Sequence, residues 1–85
     1  MRRLNFDYNG LRNQVSTQTI LIRVNGEPRD VAEGLTIVGL LAELGLRPDR
    51  VAVEMNRAIV KQPQWAETEV PPGAELEIVQ FVGGG

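Results

Sequence analysis

The sequence predicts an α+β fold, with a mixed sheet of four or five strands and one main helix. Three observations indicate this class: short segments in which apolar residues alternate, a single segment with helical periodicity, and turn residues between them. Because one helix covers only one face of a sheet, helix and sheet are expected to form two layers around a single core. A chain of 85 residues is long enough for one such domain.

The first clear element is a strand that begins at Thr19, with apolar residues alternating at positions 20, 22 and 24. Asn25-Gly26 follows and favours a type I′ hairpin turn, because both central residues of that turn need a positive φ. Residues 27–31 then form the returning strand. Pro28 confines that strand to an edge or a bulge, since proline donates no backbone hydrogen bond.

The only good helical pattern starts at Thr36, a residue type suited to the N-cap. Its apolar residues have the spacing i, i+3, i+4 and i+7, which makes one helix face continuously apolar: Ile37, Leu40, Leu41 and Leu44. Gly45 fits the left-handed position after the helix, and Pro48 prevents its continuation. Gly39 costs about 1 kcal/mol relative to alanine inside the helix. We expect its small size to let the helix lie close on the sheet.

The second half of the chain predicts three more strands. Apolar residues alternate at 51, 53 and 55, and a turn at 56–57 leads to a short strand over 58–60. A connection containing Trp65, which we expect in the core, leads to the last strand from about Glu75 to Val82. If that strand returns beside the first, it is central and parallel to it, which is the β-grasp or ubiquitin-like arrangement.

The predicted domain organisation has three parts: an N-terminal extension over 1–18 that is expected to be flexible, a β-grasp domain over 19–82, and a flexible glycine tail over 83–85. Within the extension, the alternation of Leu4, Phe6 and Tyr8 leaves an added edge strand as an alternative. The extension carries three arginines and one aspartate, a charge of +2, so the rest of a chain with net charge −2 carries −4. An acidic domain suits a basic partner surface.

Composition excludes several classes of function. The net charge of −2 argues against a nucleic-acid-binding protein, which usually has a basic face. The chain has no cysteine and no histidine, so disulfides, thiolate nucleophiles, imidazole bases and ordinary zinc sites are absent. We therefore expect no metal site, and an internal catalytic centre would have to rest on scattered carboxylates or on Lys61, the only lysine. Without a long apolar run, no membrane helix is predicted, and a cytoplasmic protein is expected.

The glycine tail is the most informative feature. Glycine makes up about 7% of residues on average, yet Gly83, Gly84 and Gly85 occupy the last three positions. A chain without side chains can enter a narrow channel and carry the Gly85 carboxylate about 10 Å into a partner's active site. A carboxylate needs activation, usually as a mixed anhydride with AMP. The chain has no phosphate-binding loop, so ATP and Mg²⁺ would be used by the partner.

The last strand offers a candidate docking surface next to the tail. Val79 and Phe81 fall on the face opposite Leu76 and Ile78, and the single helix is expected to cover only the latter face. Exposed apolar side chains beside the tail would mark a partner-binding surface. The alternative is that Phe81 packs under a loop such as the Trp65 connection.

Several segments together resemble one family: Val51-Ala-Val-Glu-Met-Asn56, Ile59-Val60, Trp65, Gly73 and Glu77-Ile-Val-Gln-Phe-Val-Gly-Gly-Gly85, with Val24-Asn-Gly26 and the helix from near Thr36. In order and spacing they resemble the ThiS family, the sulfur carriers of thiamine biosynthesis, over residues 19–85. The sequence departs from the family pattern at Gln64 after Pro63, where a basic residue is usual, and at Ala74 after Gly73, where aspartate is usual. Residues 1–18 match nothing in the family.

The resemblance implies a β-grasp fold and a defined cycle. A ThiF-type adenylyltransferase would adenylate Gly85. Sulfur from the persulfide of a donor enzyme would displace AMP to leave a thiocarboxylate, which would deliver the sulfur to thiazole synthase. Gly84 and Gly83 would form the slim arm behind the carrier residue, with Val79, Phe81 and Gly83 contacting the partner.

Three other functions stay open at this point. The small subunit of molybdopterin synthase has the same fold and a Gly-Gly end, although Trp65 and the Phe-Val-Gly-Gly-Gly ending favour the thiamine branch. A ubiquitin-like modifier would form isopeptide bonds to lysines of other proteins. A non-covalent β-grasp interaction module would make no chemical use of its tail.

Overall fold

The computed structural model describes residues 18–82 and confirms the predicted α+β class. The N-terminal extension up to residue 17 and the tail over 83–85 lie outside the described residues, and so do the predictions made for them. The elements in chain order are β1 (Thr19–Val24), β2 (Glu27–Ala32), α1 (Ile37–Glu43), a 3₁₀ turn (Pro48–Arg50), β3 (Val51–Met55), β4 (Ala58–Val60), a second 3₁₀ turn (Gln62–Gln64) and β5 (Glu75–Gln80).

The five strands form one mixed sheet in the order β2-β1-β5-β3-β4. The last strand is central: it runs parallel to β1 and antiparallel to β3. This is the β-grasp topology predicted from the element order. Pro28 lies on the edge strand β2, as expected, because proline has no amide hydrogen to donate to a neighbouring strand.

Both hairpins turn through residues with positive φ. Asn25 and Gly26 have φ of 51° and 85°, and Asn56 and Arg57 have φ of 52° and 71°. Two consecutive positive φ values define the type I′ turn, which matches the twist of the flanking strands. The first turn was predicted from the Asn-Gly pair. The second places a positive φ on Arg57, a residue type with no special preference for it.

The helix has the predicted ends. The Thr36 side chain accepts a hydrogen bond from the Gly39 amide at 3.1 Å, which caps the first turn. At the other end Gly45 has φ of 72°, its amide donates to the Ala42 carbonyl, and the Leu46 amide donates to the Leu41 carbonyl. These two bonds form a Schellman motif, which ends the helix and satisfies its last carbonyls.

The core lies between α1 and one face of the sheet, and its buried residues are Ile22, Val31, Ile37, Leu40, Leu41, Val51, Val53, Trp65, Val70, Ala74, Leu76 and Ile78. Trp65 is buried as predicted, and its indole Nε1 donates to the Val60 carbonyl at 2.7 Å. The expectation for Gly39 was wrong: a Cβ there would meet Leu35 Cδ1 at 2.7 Å, so its close neighbour is a side chain before the helix and not the sheet.

Candidate functional site: the central strand and its exposed face

The strand that leads to the tail is held from both sides by turn asparagines. Asn25 Oδ1 accepts from the Ile78 amide at 2.7 Å, and its Nδ2 donates to the Ile78 carbonyl at 3.2 Å. On the other side Asn56 Oδ1 accepts from the Glu75 amide at 3.0 Å. The positive φ of both asparagines turns the main chain away while the side chains stay in the sheet. β5 is therefore fixed at both of its edges.

The end of β5 has a further anchor. The strand ends at Gln80, two residues earlier than predicted, but the Phe81 amide still donates to the Arg50 carbonyl at 2.7 Å. Beyond Phe81 the sequence has four residues, Val82 to Gly85. Fully extended, those four residues reach about 14 Å.

The sheet face opposite the helix carries an exposed apolar patch, which we define as Ala52, Ile59, Val79 and Phe81. Val79 is 58% exposed and Phe81 54%, so Phe81 does not pack under a loop. Val79 pairs with Ala52 in the register of β3 and β5, and Ile59 on β4 is 76% exposed. A shallow cavity of about 230 Å³ is lined by Ala52, Val53, Glu54, Ile59, Glu77 and Val79.

An acidic rim borders this patch. Glu54 and Glu77 are directly opposite each other in the register of β3 and β5, and Glu75 follows on the same face. Like charges placed directly opposite each other across a strand pair are destabilising. Together with Arg57, these three glutamates line a cavity of about 410 Å³. The free protein therefore keeps an unfavourable charge pair beside an exposed apolar patch, an arrangement that suits a partner with basic groups.

Sequence reasoning found part of this site. It placed Val79 and Phe81 on the face opposite the core, and the structure has them exposed there; Gly83, Gly84 and Gly85 lie outside the described residues. It missed Ile59, although an isoleucine two residues after a turn and opposite a glutamate is a usable signal. It also assigned Asn56 to the turn alone, because the bond to β5 depends on a contact distant in sequence.

No group of histidine, cysteine or acidic residues within the described range 18–82 has the geometry of a metal site. In the same range, no helix is long and apolar enough to cross a bilayer.

Comparisons with known proteins bear on the same region. The model of the ThiS family matches residues 22–85. The chain is 33% identical over 64 residues to the sulfur carrier protein ThiS of Escherichia coli, covering 75% of this chain and 97% of that one. The crystal structure of the thiamine biosynthesis protein ThiS from Geobacter metallireducens superimposes with a TM-score of 0.68 at 33% identity, covering 78% of this chain and all of that one.

A different kind of relative is much longer. The thiazole synthase of Magnetococcus marinus is 41% identical over 64 residues, which is 75% of this chain but 20% of the synthase. The chain therefore spans about a fifth of the length of that relative, so that a region similar to this domain is one segment of a polypeptide named for a different activity.

Proposed function

The chain belongs to the ThiS family, and from this membership we propose that it is a sulfur carrier protein of thiamine thiazole biosynthesis whose working group is the carboxylate of Gly85. The observation that carries the proposal is the position of the tail. In the sequence, Gly83–Gly85 come two residues after the described end of the apolar patch at Phe81 and three residues after Gln80, the last residue of a central strand that is held at both edges. A rigid base and a side-chain-free arm are what delivery of a terminal carboxylate into a partner requires.

The proposed chemistry has three steps. A ThiF-type adenylyltransferase binds ATP and Mg²⁺, and the Gly85 carboxylate attacks the α-phosphate to form an acyl adenylate with release of pyrophosphate. The terminal sulfur of a persulfide on a donor enzyme then attacks the acyl carbon and AMP leaves. The resulting acyl disulfide keeps its sulfur on Gly85 when a thiol reductant supplies two electrons to cleave the S–S bond, which leaves the thiocarboxylate.

In this cycle the chain is a co-substrate and not an enzyme. It needs no bound cofactor, because ATP and Mg²⁺ belong to the adenylating partner. The absence of cysteine and histidine from the sequence is consistent with this role, since a carrier does not need reactive side chains of its own. Docking would use the apolar patch around Val79 and Phe81 with the arm at Gly83, while the acidic rim meets basic groups of the partner.

Thiazole synthase is the proposed acceptor of the sulfur. The support is the long relative, in which a segment similar to this chain occurs in one polypeptide with the name thiazole synthase. Covalent linkage raises the effective concentration of one partner for the other, so it favours proteins that act together. The small subunit of molybdopterin synthase stays the alternative because it uses the same tail chemistry.

A reconstitution separates the two. The chain is incubated with a ThiF-type enzyme, Mg-ATP, a persulfide donor and a thiol reductant, and then divided between thiazole synthase with its substrates and the large subunit of molybdopterin synthase. We expect thiazole formation that depends on the chain, and no molybdopterin. Molybdopterin formation in place of thiazole would contradict the thiamine assignment, and an unchanged tail would contradict the carrier role itself.

A further inference from the structure

Within residues 18–82, the edge of β5 on the β1 side has no neighbouring strand beyond Ile78, and we call this the open edge. Strand β1 pairs with β5 only through Arg23–Glu75 and Val24–Leu76, because the Asn25-Gly26 turn then takes the chain away. The Asn25 amide donates to the Leu76 carbonyl, and the Asn25 side chain occupies the amide and carbonyl of Ile78. The Asn25 side chain thus makes the two hydrogen bonds that one further residue of β1 would make to β5. The pairing on this side of β5 stops at Ile78.

The next backbone groups on this edge belong to Gln80. The Phe81 amide points to β3, where it bonds the Arg50 carbonyl. Consecutive residues of a strand direct their backbone groups to opposite sides, so the amide and carbonyl of Gln80 point to the side that β1 has left. Among residues 18–82, no backbone hydrogen bond joins Gln80 to a group on that side.

The other edges of the sheet are protected, which makes this one unusual. The edge strand β2 contains Pro28 and three charged residues, and β4 is only three residues long and is followed by Lys61 and Pro63. Proline, charge and short length are the usual devices that stop a strand from pairing with another chain. The segment Gln80-Phe81-Val82 is as short as β4, but it contains no proline and no charged residue, and phenylalanine and valine are good strand formers.

A groove runs along the same edge on the helix side of the sheet. It is a cavity of about 290 Å³ lined by Val24, Asn25, Leu44, Leu46, Ile78 and Gln80. Val24, Leu44 and Leu46 are partly buried and pack against the core, so the floor of the groove is apolar. Side chains of a strand alternate between the two faces. A strand added beside Gln80 would therefore place every second side chain over this floor.

We propose that the adenylating enzyme adds an extended segment along the open β5 edge at Gln80–Val82, with an apolar side chain of that segment in the groove beside Leu44 and Leu46. The inference rests on the proposed function and specifies how the partner holds the tail. Backbone pairing supplies the affinity in this mode of recognition, and the groove supplies the specificity. Because Gly83–Gly85 follow Gln80–Val82 in the sequence, a strand paired with Gln80–Val82 would also set the direction in which the arm leaves.

The test removes one backbone donor. Residues 1–73 are prepared as a Gly73 thioester and ligated to a synthetic peptide for 74–85 that begins with cysteine and carries an N-methyl group on the Gln80 nitrogen. Desulfurisation then restores Ala74, and it affects no other residue because the chain contains no cysteine. The matched variant carries the N-methyl group on Phe81, whose amide bonds Arg50. A ligated chain without methylation is the reference.

We expect the Gln80 N-methyl protein to melt at the reference temperature and to bind the ThiF-type enzyme about tenfold or more weakly, which corresponds to the loss of about one to two backbone hydrogen bonds. The Phe81 N-methyl protein should melt at a lower temperature. Unchanged affinity of the Gln80 variant would overturn the inference, and so would a lowered melting temperature, since its amide would then serve the fold. Loss of a self-association of the chain, with enzyme affinity unchanged, would assign the edge to a second copy instead. Failure of the unmethylated reference to be adenylated would count against the proposed function and not against the edge.

Discussion

Two asparagines in hairpin turns hold the strand that leads to the tail. Asn-Gly and Asn-Arg were recognisable as turns because asparagine tolerates a positive φ. Their second role was not, because the bond from Asn25 to Ile78 spans 53 residues and depends on which strand lies next to β1. Local propensity fixes the turn, whereas the partner of the side chain is set by the topology of the whole sheet.

Replacing Asn25 by glycine separates these two roles. Glycine accepts the positive φ of the turn, so Asn25→Gly removes only the two side-chain bonds to Ile78. We expect the free energy of unfolding to fall by about 1–3 kcal/mol, measured by urea denaturation. Asn56→Gly, which removes one bond to Glu75, is the matched control and should cost about half as much. Equal stability of Asn25→Gly and the parent chain would show that Asn25 serves only the turn.

Substitution of Phe81 tests the docking surface most directly. Because its side chain is 54% exposed, Phe81→Ala should change the free energy of unfolding by less than about 0.5 kcal/mol. Calorimetric affinity for the adenylating enzyme should fall about tenfold or more, as for an aromatic hot spot. Leu21→Ala is the control, since Leu21 is similarly exposed but lies far from the end of β5. A stability loss of about 3–5 kcal/mol would instead assign Phe81 to a buried site.

At the scale of elements, the strongest local patterns were predicted well. The cap at Thr36 and the stop at Gly45 follow from backbone geometry that few residue types satisfy, and both lie where the sequence places them. The end of β5 was less predictable. Apolar alternation continues to Val82, but β3 begins at Val51 and offers no ladder partner beyond Arg50, so the strand ends at Gln80.

The pairing of β3 with β5 places Glu54 opposite Glu77. We expect these two glutamates to lower the stability of the fold and to strengthen binding to a basic partner. Glu77→Gln removes the like-charge contact, so the free energy of unfolding should rise by about 0.2–1 kcal/mol. Affinity for a basic partner should fall, and the difference between variant and parent should shrink at high salt. Glu67→Gln, at an exposed position outside the strands, is the control and should do neither. Tighter partner binding by Glu77→Gln would contradict a basic counterpart surface.

Side chains added to the glycine tail should leave the melting temperature unchanged but should prevent adenylation. Among residues 18–82, the last residue of the buried core is Ile78, and we expect Gly84→Trp to leave the melting temperature unchanged. Adenylation of Gly84→Trp should be abolished, because the arm no longer enters a channel shaped for glycine. The adenylation rate of Gly84→Ala should lie between those of the parent chain and Gly84→Trp. ATP–pyrophosphate exchange with a ThiF-type enzyme measures this. Full exchange activity of Gly84→Trp would show that the arm does not thread a narrow channel.

At the scale of the whole molecule, the apolar patch and the open edge both reach the end of β5, and the sequence continues from there into Gly83–Gly85. The order of elements in the sequence was sufficient to predict the sheet and the central place of the last strand. The site was predicted only in part, since Ile59 and the open edge come from pairing partners that no local pattern specifies. The region after residue 18 has a net charge of −4, so the surface of the domain is acidic.

The central claim, that Gly85 is the carrier residue, is tested most directly by intact-protein mass spectrometry. After incubation with a ThiF-type enzyme, Mg-ATP, a persulfide donor and a thiol reductant, the chain should gain the mass difference between sulfur and oxygen. Fragmentation should place that gain on Gly85. A chain extended by one residue after Gly85, and a chain without Gly85, whose arm is about 3.5 Å shorter, should gain nothing. A sulfur gain on the extended chain, or a gain placed elsewhere than Gly85, would contradict the account.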